Sequence, residues 1–583
     1  MPVNYEEASA TQLSSSNTRI HNTEKQVIEH NGEVVQSASG NLDAIYGVGG
    51  VGRTQRRLKA RHVTFIGFGG GIGTGLFIGT GAALANAGPL GLLLAFTIVG
   101  GILWCVMESI GELSTLVSFN GLLQLEYHTR SYETQSHRQQ FPTAGSFPHF
   151  ATRFIDPALG FTLAISYGYC YTIAIASEVS AAAIIVSYWT DITPALVITI
   201  GLAAIFFINM MNVRFYGEAE VITASIKVIC FVGLIIVSLV ITLGGAPNHD
   251  RIGFRYWKNP GPFTDYNGIT GSTGHFLAFF SAFINASFSY IGIETVVVAA
   301  AETTNPHKSI PKAVRRVTYR ILFFYVVGTL LIGMIISSSD PALVSGSGNA
   351  NSSPFVIAIK NSGIKVLPSI VNACILTSAW SAGNSYCYIG ARMIVAMAVD
   401  RQAPQFFSKV NRYGVPYYAV IASFAFGPLA YLSLGSGGAS QAFTWLLNLS
   451  TVAGLLSWMT LCVCFIRYNR ACKVQGINRN HLPMKGRFQP YAAYVGAIGS
   501  AIIVLFSGFG VFLKGKWSTA DFIANYIGIV IYIVPFVLWK IIKRTKFVRS
   551  PETDLFSGRF DPSNLPPELI PTTWWGKFLD WLF

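Results

Sequence analysis

The sequence is short of charge. Only 12% of its 583 residues are Asp, Glu, Lys or Arg, about half the share usual in a soluble globular domain, while 51% are hydrophobic and the mean hydropathy is +0.46. So few charges cannot cover a water-exposed fold of this size, which leaves a polytopic membrane protein. Cysteine is scarce as well. Of the eight, Cys105, Cys170, Cys230, Cys374, Cys387, Cys462 and Cys464 fall in apolar runs and Cys472 in an expected inward loop, so no disulfide framework is implied. Cys462 and Cys464 are too closely spaced for a zinc pair and lack nearby partner ligands. None of the ten histidines lies near the midpoint of an apolar run, which removes a histidine proton relay. No nucleophile–base pair or metal cluster stands out, so neither an enzyme nor a cofactor is expected. No span carries a row of like charges suited to a channel lining.

What is present is a series of apolar runs, each long enough for a hydrocarbon core about 30 Å thick. They fall roughly at 63–85, 90–117, 158–189, 194–212, 220–244, 276–301, 320–339, 364–399, 417–434, 441–467, 491–513 and 522–542, about twelve spans in all. The first fifty residues contain no apolar core of a cleavable signal, so the first span is expected to direct insertion. The net charge of +14 is not a nucleic-acid surface. With the amino terminus in the cytosol, outward loops hold only Arg251, Arg255, Lys258, Lys360, Lys365, Lys514 and Lys516 of the 41 basic residues. Inward clusters include Arg53, Arg56, Arg57, Lys59 and Arg61 before span one, and Lys308, Lys312, Arg315, Arg316 and Arg320 after span six. This is the positive-inside pattern, with both termini cytosolic. Asn351-Ser-Ser is a glycosylation triplet in an outward loop.

Three domains are expected: a flexible cytosolic tail at 1–58, a membrane domain at 59–545 interrupted by a polar cytosolic insertion at 118–140, and a cytosolic tail at 546–583. The last of these ends in TTWWGKFLDWLF, which suits a short interfacial helix or an aromatic tail docked on the protein itself. The tails are where ubiquitination or trafficking machinery would act.

A charge near the bilayer centre is costly enough to be a functional candidate by default. Glu178 in span three, Lys227 in span five and Glu294 in span six meet that description. Lys227, in ASIKVICFVGLIIV, must be deprotonated, paired with an acid or bonded to backbone carbonyls; it either exchanges a proton or tethers helices. Glu294 either shuttles protons or stays charged while accepting bonds from neighbouring helices. Glu108 and Glu112, near the inward end of span two, and Asp400, closing span eight, are more easily wetted and read as structural.

The stretch GFGGGIGTG, Gly67 to Gly75, places six glycines in nine positions of a membrane span, although glycine weakens a helix by roughly 1 kcal/mol relative to alanine. It lacks the G-x-G-x-x-G register and the following Gly-Lys of nucleotide loops. Gly67, Gly71, Gly75 and Gly79 keep a small-xxx-small spacing suited to close helix packing. The compatible alternative is a break at mid-membrane, baring peptide groups and aiming a half-helix terminus at an anion. NASFSYIGIE in span six, with Ser287, Ser289 and Gly292, is a second interruption in the corresponding place of an inverted repeat.

Four stretches carry a resemblance: RHVTFIGFGGGIGTGLFIGTGAAL at 61–84, GSFPHFATRFIDPALGF at 145–161, FSYIGIE followed by AETTNPHKSIPKAVRR at 288–316, and GNSYCYIGARMIVAMAVDRQAPQFF at 383–407. On these the chain resembles the fungal amino-acid permeases of the amino acid–polyamine–organocation superfamily. The resemblance implies an all-α polytopic fold with a LeuT-type five-plus-five inverted repeat, broken helices one and six and two extra helices. It implies proton-coupled import of amino acids at a plasma membrane, the proton being the coupling ion. It places the substrate carboxylate on backbone groups of Gly73, Thr74 and Gly75, beside Ile72, and the ammonium on carbonyls near Gly71 and Ile291. It makes Phe288, next to Ser289, the aromatic cover. Lys227 and Glu294 match the span-five lysine and span-six glutamate of the family, and Glu178 joins them as a proton-coupling candidate. Polar positions in spans eight and ten, Ser378, Ser381, Asn448 and Thr451, are expected to meet the substrate side chain.

Two departures stand out. The stretch at 118–140 resembles a retained intron or an unusual loop, and the chain ends Trp-Leu-Phe where many relatives end Phe-Trp-Cys, so lipidation of a terminal cysteine is not expected. The alternative from another class is an amino-acid-sensing receptor with little or no flux, whose mark would be longer terminal extensions than these.

Overall fold

Asp156 opens the helix around which the others assemble. Its backbone is extended, its side chain accepts from the Ala158 amide at 2.8 Å, and Pro157 takes the first helical position, where its missing N–H costs nothing. The computed structural model describes residue 65 and residues 70–117, 147–211, 213–297, 306–344, 353–435, 438–479, 484–555 and 573–574. The expected tail at 1–58, the insertion at 118–140, Gly67, Arg53 to Arg61, the side chain of Lys308, Asn351 and most of the aromatic end lie outside the described residues.

The architecture is all helical. In chain order the helices that matter below are α1 (Thr80–Val117), α2 (Phe147–Phe154), α3 (Pro157–Val186), α4 (Pro194–Met210), α5 (Val213–Leu243), α6 (Gly271–Tyr290), α7 (Pro306–Arg320), α8 (Leu367–Val399), α9 (Tyr417–Phe424), α10 (Gly438–Val474), α11 (Tyr491–Phe506) and α12 (Thr519–Lys543). Among the described residues nine helical stretches are long and apolar enough to cross a bilayer. The first, Gly75–Thr115, takes in the second half of expected span one and most of expected span two; they part at Gly88, whose φ of +75° lies outside the range favoured by other residues, followed by Pro89. Leu90 there donates its amide to the Pro262 carbonyl at 3.0 Å, tying the turn to the loop before α6. Two expected spans are not among the nine. Pro194–Met210 is shorter, and Leu367–Val399 is interspersed with the buried Ser378, Ser381, Asn384 and Ser385.

Burial sorts the helices. Of the most apolar window of α3, 89% is buried, whereas only 17% is for α12. α3 packs against α8, α10 and α12, and α1 packs against α6. Ile222, Ile229, Ile236 and Leu243 on α5 and Ile541 and Ile542 on α12 remain exposed, the apolar outer surface that a lipid solvent requires.

Candidate functional site

The helix of span one is interrupted beside α3. Gly70 and Gly71 are helical, Ile72 and Gly73 are bent, and a π-helical turn follows at Gly75–Gly79 before α1 begins. Such turns loosen the regular ladder and recur at functional sites. The carbonyls freed by the bend are met by hydroxyls from other helices. Tyr325 donates to the Gly71 carbonyl, Ser378 on α8 donates to that of Ile72 at 2.9 Å, and Tyr386 donates to that of Gly70 at 3.4 Å.

A second interruption faces the first. α6 stops at Tyr290, and Ile291–Glu294 form a turn before the chain becomes helical again at Thr295. Gly292 has a φ of +101°, and a β-carbon there would stand 2.3 Å from the Gly70 carbonyl oxygen. The two bent backbones therefore touch. A β-carbon on Gly71 would meet Ile293 at 2.8 Å, and one on Gly75 would meet Ser289 and Phe288 at 2.8 and 2.9 Å. The spacing of glycines thus gives both a bend and a close-packed face, since only a residue without a side chain fits there.

The two buried acids are held differently. Glu294 accepts from Tyr171 at 2.9 Å and Tyr167 at 3.3 Å, both on α3, and from the amide of Gly292 in its own turn at 3.1 Å. Its carboxylate staples the span-six turn to α3. Glu178, also buried on α3, points at the other bend: a β-carbon on Gly73 would lie 2.9 Å from its Oε1, and both its carboxylate oxygens and the buried hydroxyl of neighbouring Thr74 make no hydrogen bond among the described residues. Lys227 on α5 is fully buried and lies within electrostatic reach of both Glu178 and Glu220.

Glu220 is a residue that reading the sequence passed over. It precedes Lys227 by two helical turns, which puts both on one face of α5, and it is buried with Oε1 accepting from Ser381 at 2.7 Å. The signal was available: an acid seven residues before a buried lysine on one helix.

The remaining expected positions are placed as follows. Phe288 is buried edge-on to Phe443, with ring centroids 6.2 Å apart. Ser289 donates to the Asn285 carbonyl at 2.9 Å, and the amide of Ile291 closes the end of α6 on the Ser287 carbonyl at 3.1 Å. On α8, Ser378 is engaged by the bend and Ser381 by Glu220, rather than by an open pocket. On α10, Thr451 donates to its own helix at Leu447, 2.6 Å away, and Asn448 is buried one turn earlier. Two of the three acids read as structural bridge loops. Glu112 takes both Nε and Nη2 of Arg479 at 2.7 Å and the Gly486 amide at 2.8 Å, and Glu108 takes the Arg487 amide at 2.8 Å.

Two facing helix interruptions, buried charges beside them and a lipid-facing apolar exterior define a membrane transport protein. Comparison with known proteins is specific. The profile of the family described as "Amino acid permease" matches residues 62–129 and 139–552, leaving only 130–138 of the polar stretch unmatched in between. The chain is similar to the dicarboxylic amino acid permease of Saccharomyces cerevisiae, at 40% identity over 87% of this chain and 80% of that one. It is similar to the proline-specific permease of Emericella nidulans, at 37% over 91% and 94%, and to the basic amino-acid permease of Saccharomyces cerevisiae, at 40% over 83% and 81%. Among solved structures, a manganese transporter of Eremococcus coleocola superposes with a TM-score of 0.48 at 16% identity, covering 82% of this chain and 94% of that one. The chain belongs to the amino acid permease family and is of the fungal type, a multi-pass membrane transporter and not an enzyme.

Proposed function

We propose that the chain is a proton-coupled symporter that imports amino acids across the plasma membrane, alternating access around the place where the two bends meet, with both termini cytosolic. The observation that supports this most is the position of Glu178 against Gly73 and Thr74, with Lys227 and Glu220 adjacent. The amides of Gly73, Thr74 and Gly75 receive the substrate carboxylate, and the carbonyls of Gly71 and Ile291 receive its ammonium. That carboxylate arrives beside the one already there. Two carboxylates about 3 Å apart do not both stay ionised, so substrate entry requires Glu178 to bind a proton or to move toward Lys227. Proton and substrate then favour the same loaded state, which is what coupling in one direction needs. Glu220 holds Lys227 when Glu178 is neutral. Glu294, with three donors on it, positions the span-six turn rather than carrying the proton, and Phe288 covers the substrate. Ser378, Ser381, Asn448 and Thr451 meet the substrate side chain once the first two hydroxyls turn from their present acceptors.

Uptake of labelled amino acids into cells lacking their own permeases tests this. Accumulation should rise with external acidity and collapse with a protonophore. Glu178→Gln should keep binding but lose accumulation against a gradient. Concentrative uptake indifferent to the proton gradient would overturn the coupling, and binding without uptake would point to a receptor.

A further inference from the structure

One open cavity, of about 990 Å³, is lined by none of the residues of the two bends. It sits between the inward ends of α10 and α12 and the segment that follows α12, and Arg467, Arg470, Lys540, Lys546 and Arg549 line it, with Glu552 the one acid on its wall. We propose that this cavity binds the phosphate-bearing headgroup of an anionic membrane lipid.

The wall is built, and built without neutralising its charge. Lys540 is taken by the buried Asp156 and lies 3.8 Å from the Phe547 ring centroid. Thr545 donates to the same Asp156 at 2.7 Å, and the Val548 amide donates to the Ile155 carbonyl at 2.8 Å, so residues 545–548 are fastened to the start of α3. Arg467 donates to the Val548 carbonyl at 2.6 Å, a main-chain group rather than an acid. Gln475 holds the far side through the carbonyls of Ser550 and Thr553, at 3.0 and 2.7 Å. Arg470, Lys546 and Arg549 are exposed and make no ion pair among the described residues. Four cations not matched by an acid among the described residues, converging on one concavity, form a phosphate site by charge and by the forked geometry of arginine.

The surroundings select a lipid over a free phosphate. Phe547 and Val474 on the wall itself are exposed, as are Ile541 and Ile542, which follow Lys540 on α12. An anionic headgroup on the cations would lay its acyl chains along this apolar rim, which a soluble phosphate leaves bare. The assignment to the cytosolic leaflet rests on the positive-inside orientation; the binding itself does not depend on transport.

The test uses the purified full chain in nanodiscs of phosphatidylcholine with and without a few per cent of a phosphoinositide, read by lipid retained in native mass spectrometry and by thermal unfolding. The wild type should retain the anionic lipid and unfold at higher temperature with it. Arg470→Gln/Lys546→Gln/Arg549→Gln should weaken retention at least about tenfold while unfolding in neutral lipid as the wild type does. A second variant, Phe547→Ser, should reduce retention of the lipid but leave binding of soluble inositol phosphate unchanged. Retention unaltered in the triple variant would overturn the site, and soluble inositol phosphate binding as tightly as the lipid would overturn the choice of ligand. Because no amino acid is involved, failure here leaves the transport reading untouched, and failure of transport leaves this site untouched.

Discussion

Glu178 and Gly73 are in contact across the span-one bend: a methyl group on Gly73 would stand 2.9 Å from Glu178 Oε1. The missing side chain is what lets an acid on α3 reach the backbone of the bend. Gly73→Val should therefore expel the Glu178 carboxylate and obstruct the amides, weakening substrate binding by at least about tenfold, since overpacking a tight contact costs roughly 1–3 kcal/mol. Gly75→Val strikes Phe288 and Ser289 instead and should do the same. Labelled-substrate binding to the purified variants measures both, and normal affinity would assign these glycines to packing alone.

Lys227 is within electrostatic reach of two buried acids, Glu178 and Glu220, and the two should not be equivalent. Lys227→Ala should abolish proton-driven accumulation; unaltered concentrative uptake would remove Lys227 from the mechanism. Glu220→Gln keeps the hydrogen bond to Ser381 but removes the second counter-charge. It should shift the acid dependence of uptake while leaving folding intact, and a pH profile matching wild type would make Glu220 a packing residue.

The pairing of Glu112 with Arg479 should matter for stability and not for coupling. The pair is bidentate and nearly closed to solvent, with side chains 0% and 13% exposed. Removing one partner of a buried pair leaves a charge stranded, at a cost of about 3–5 kcal/mol. Arg479→Ala should lower the unfolding temperature and surface expression, and Glu112→Gln/Arg479→Gln should recover part of the loss. Thermal unfolding in detergent decides it.

Asp400, just beyond the end of α8, has its carboxyl pushed up to about 7 by burial. A carboxyl raised in the folded state favours folding in its neutral form. Its contribution is complete below about 4, the ordinary carboxyl range, and is lost as pH rises from there to about 7. Asp400→Asn should flatten that decline, so that the variant loses less stability than the wild type between pH 5 and 7 and the two run parallel above it. Unfolding temperatures at pH 5, 7 and 8 for both proteins provide the check.

The polar stretch at 118–140 overlaps the only interior gap in the family match, residues 130–138. Surface loops change length at modest entropic cost. Excising 119–140 should preserve or improve uptake, and loss of surface expression would show that the stretch belongs to the fold.

The membrane class, the places of most helices, the two interruptions and the buried Glu178, Lys227 and Glu294 were all legible in the sequence. Bilayers demand long apolar runs and penalise charge, so each exception is visible along the chain. The tertiary structure decided how those exceptions pair. Nothing in spacing says that Glu294 is bound by Tyr167 and Tyr171, that Glu178 reaches the backbone at Gly73 or that Glu220 takes the hydroxyl of Ser381 on α8. Hydropathy records that a residue is costly in lipid. Which partner relieves the cost depends on the rotation and packing of helices far apart in the chain, and only their assembly sets that.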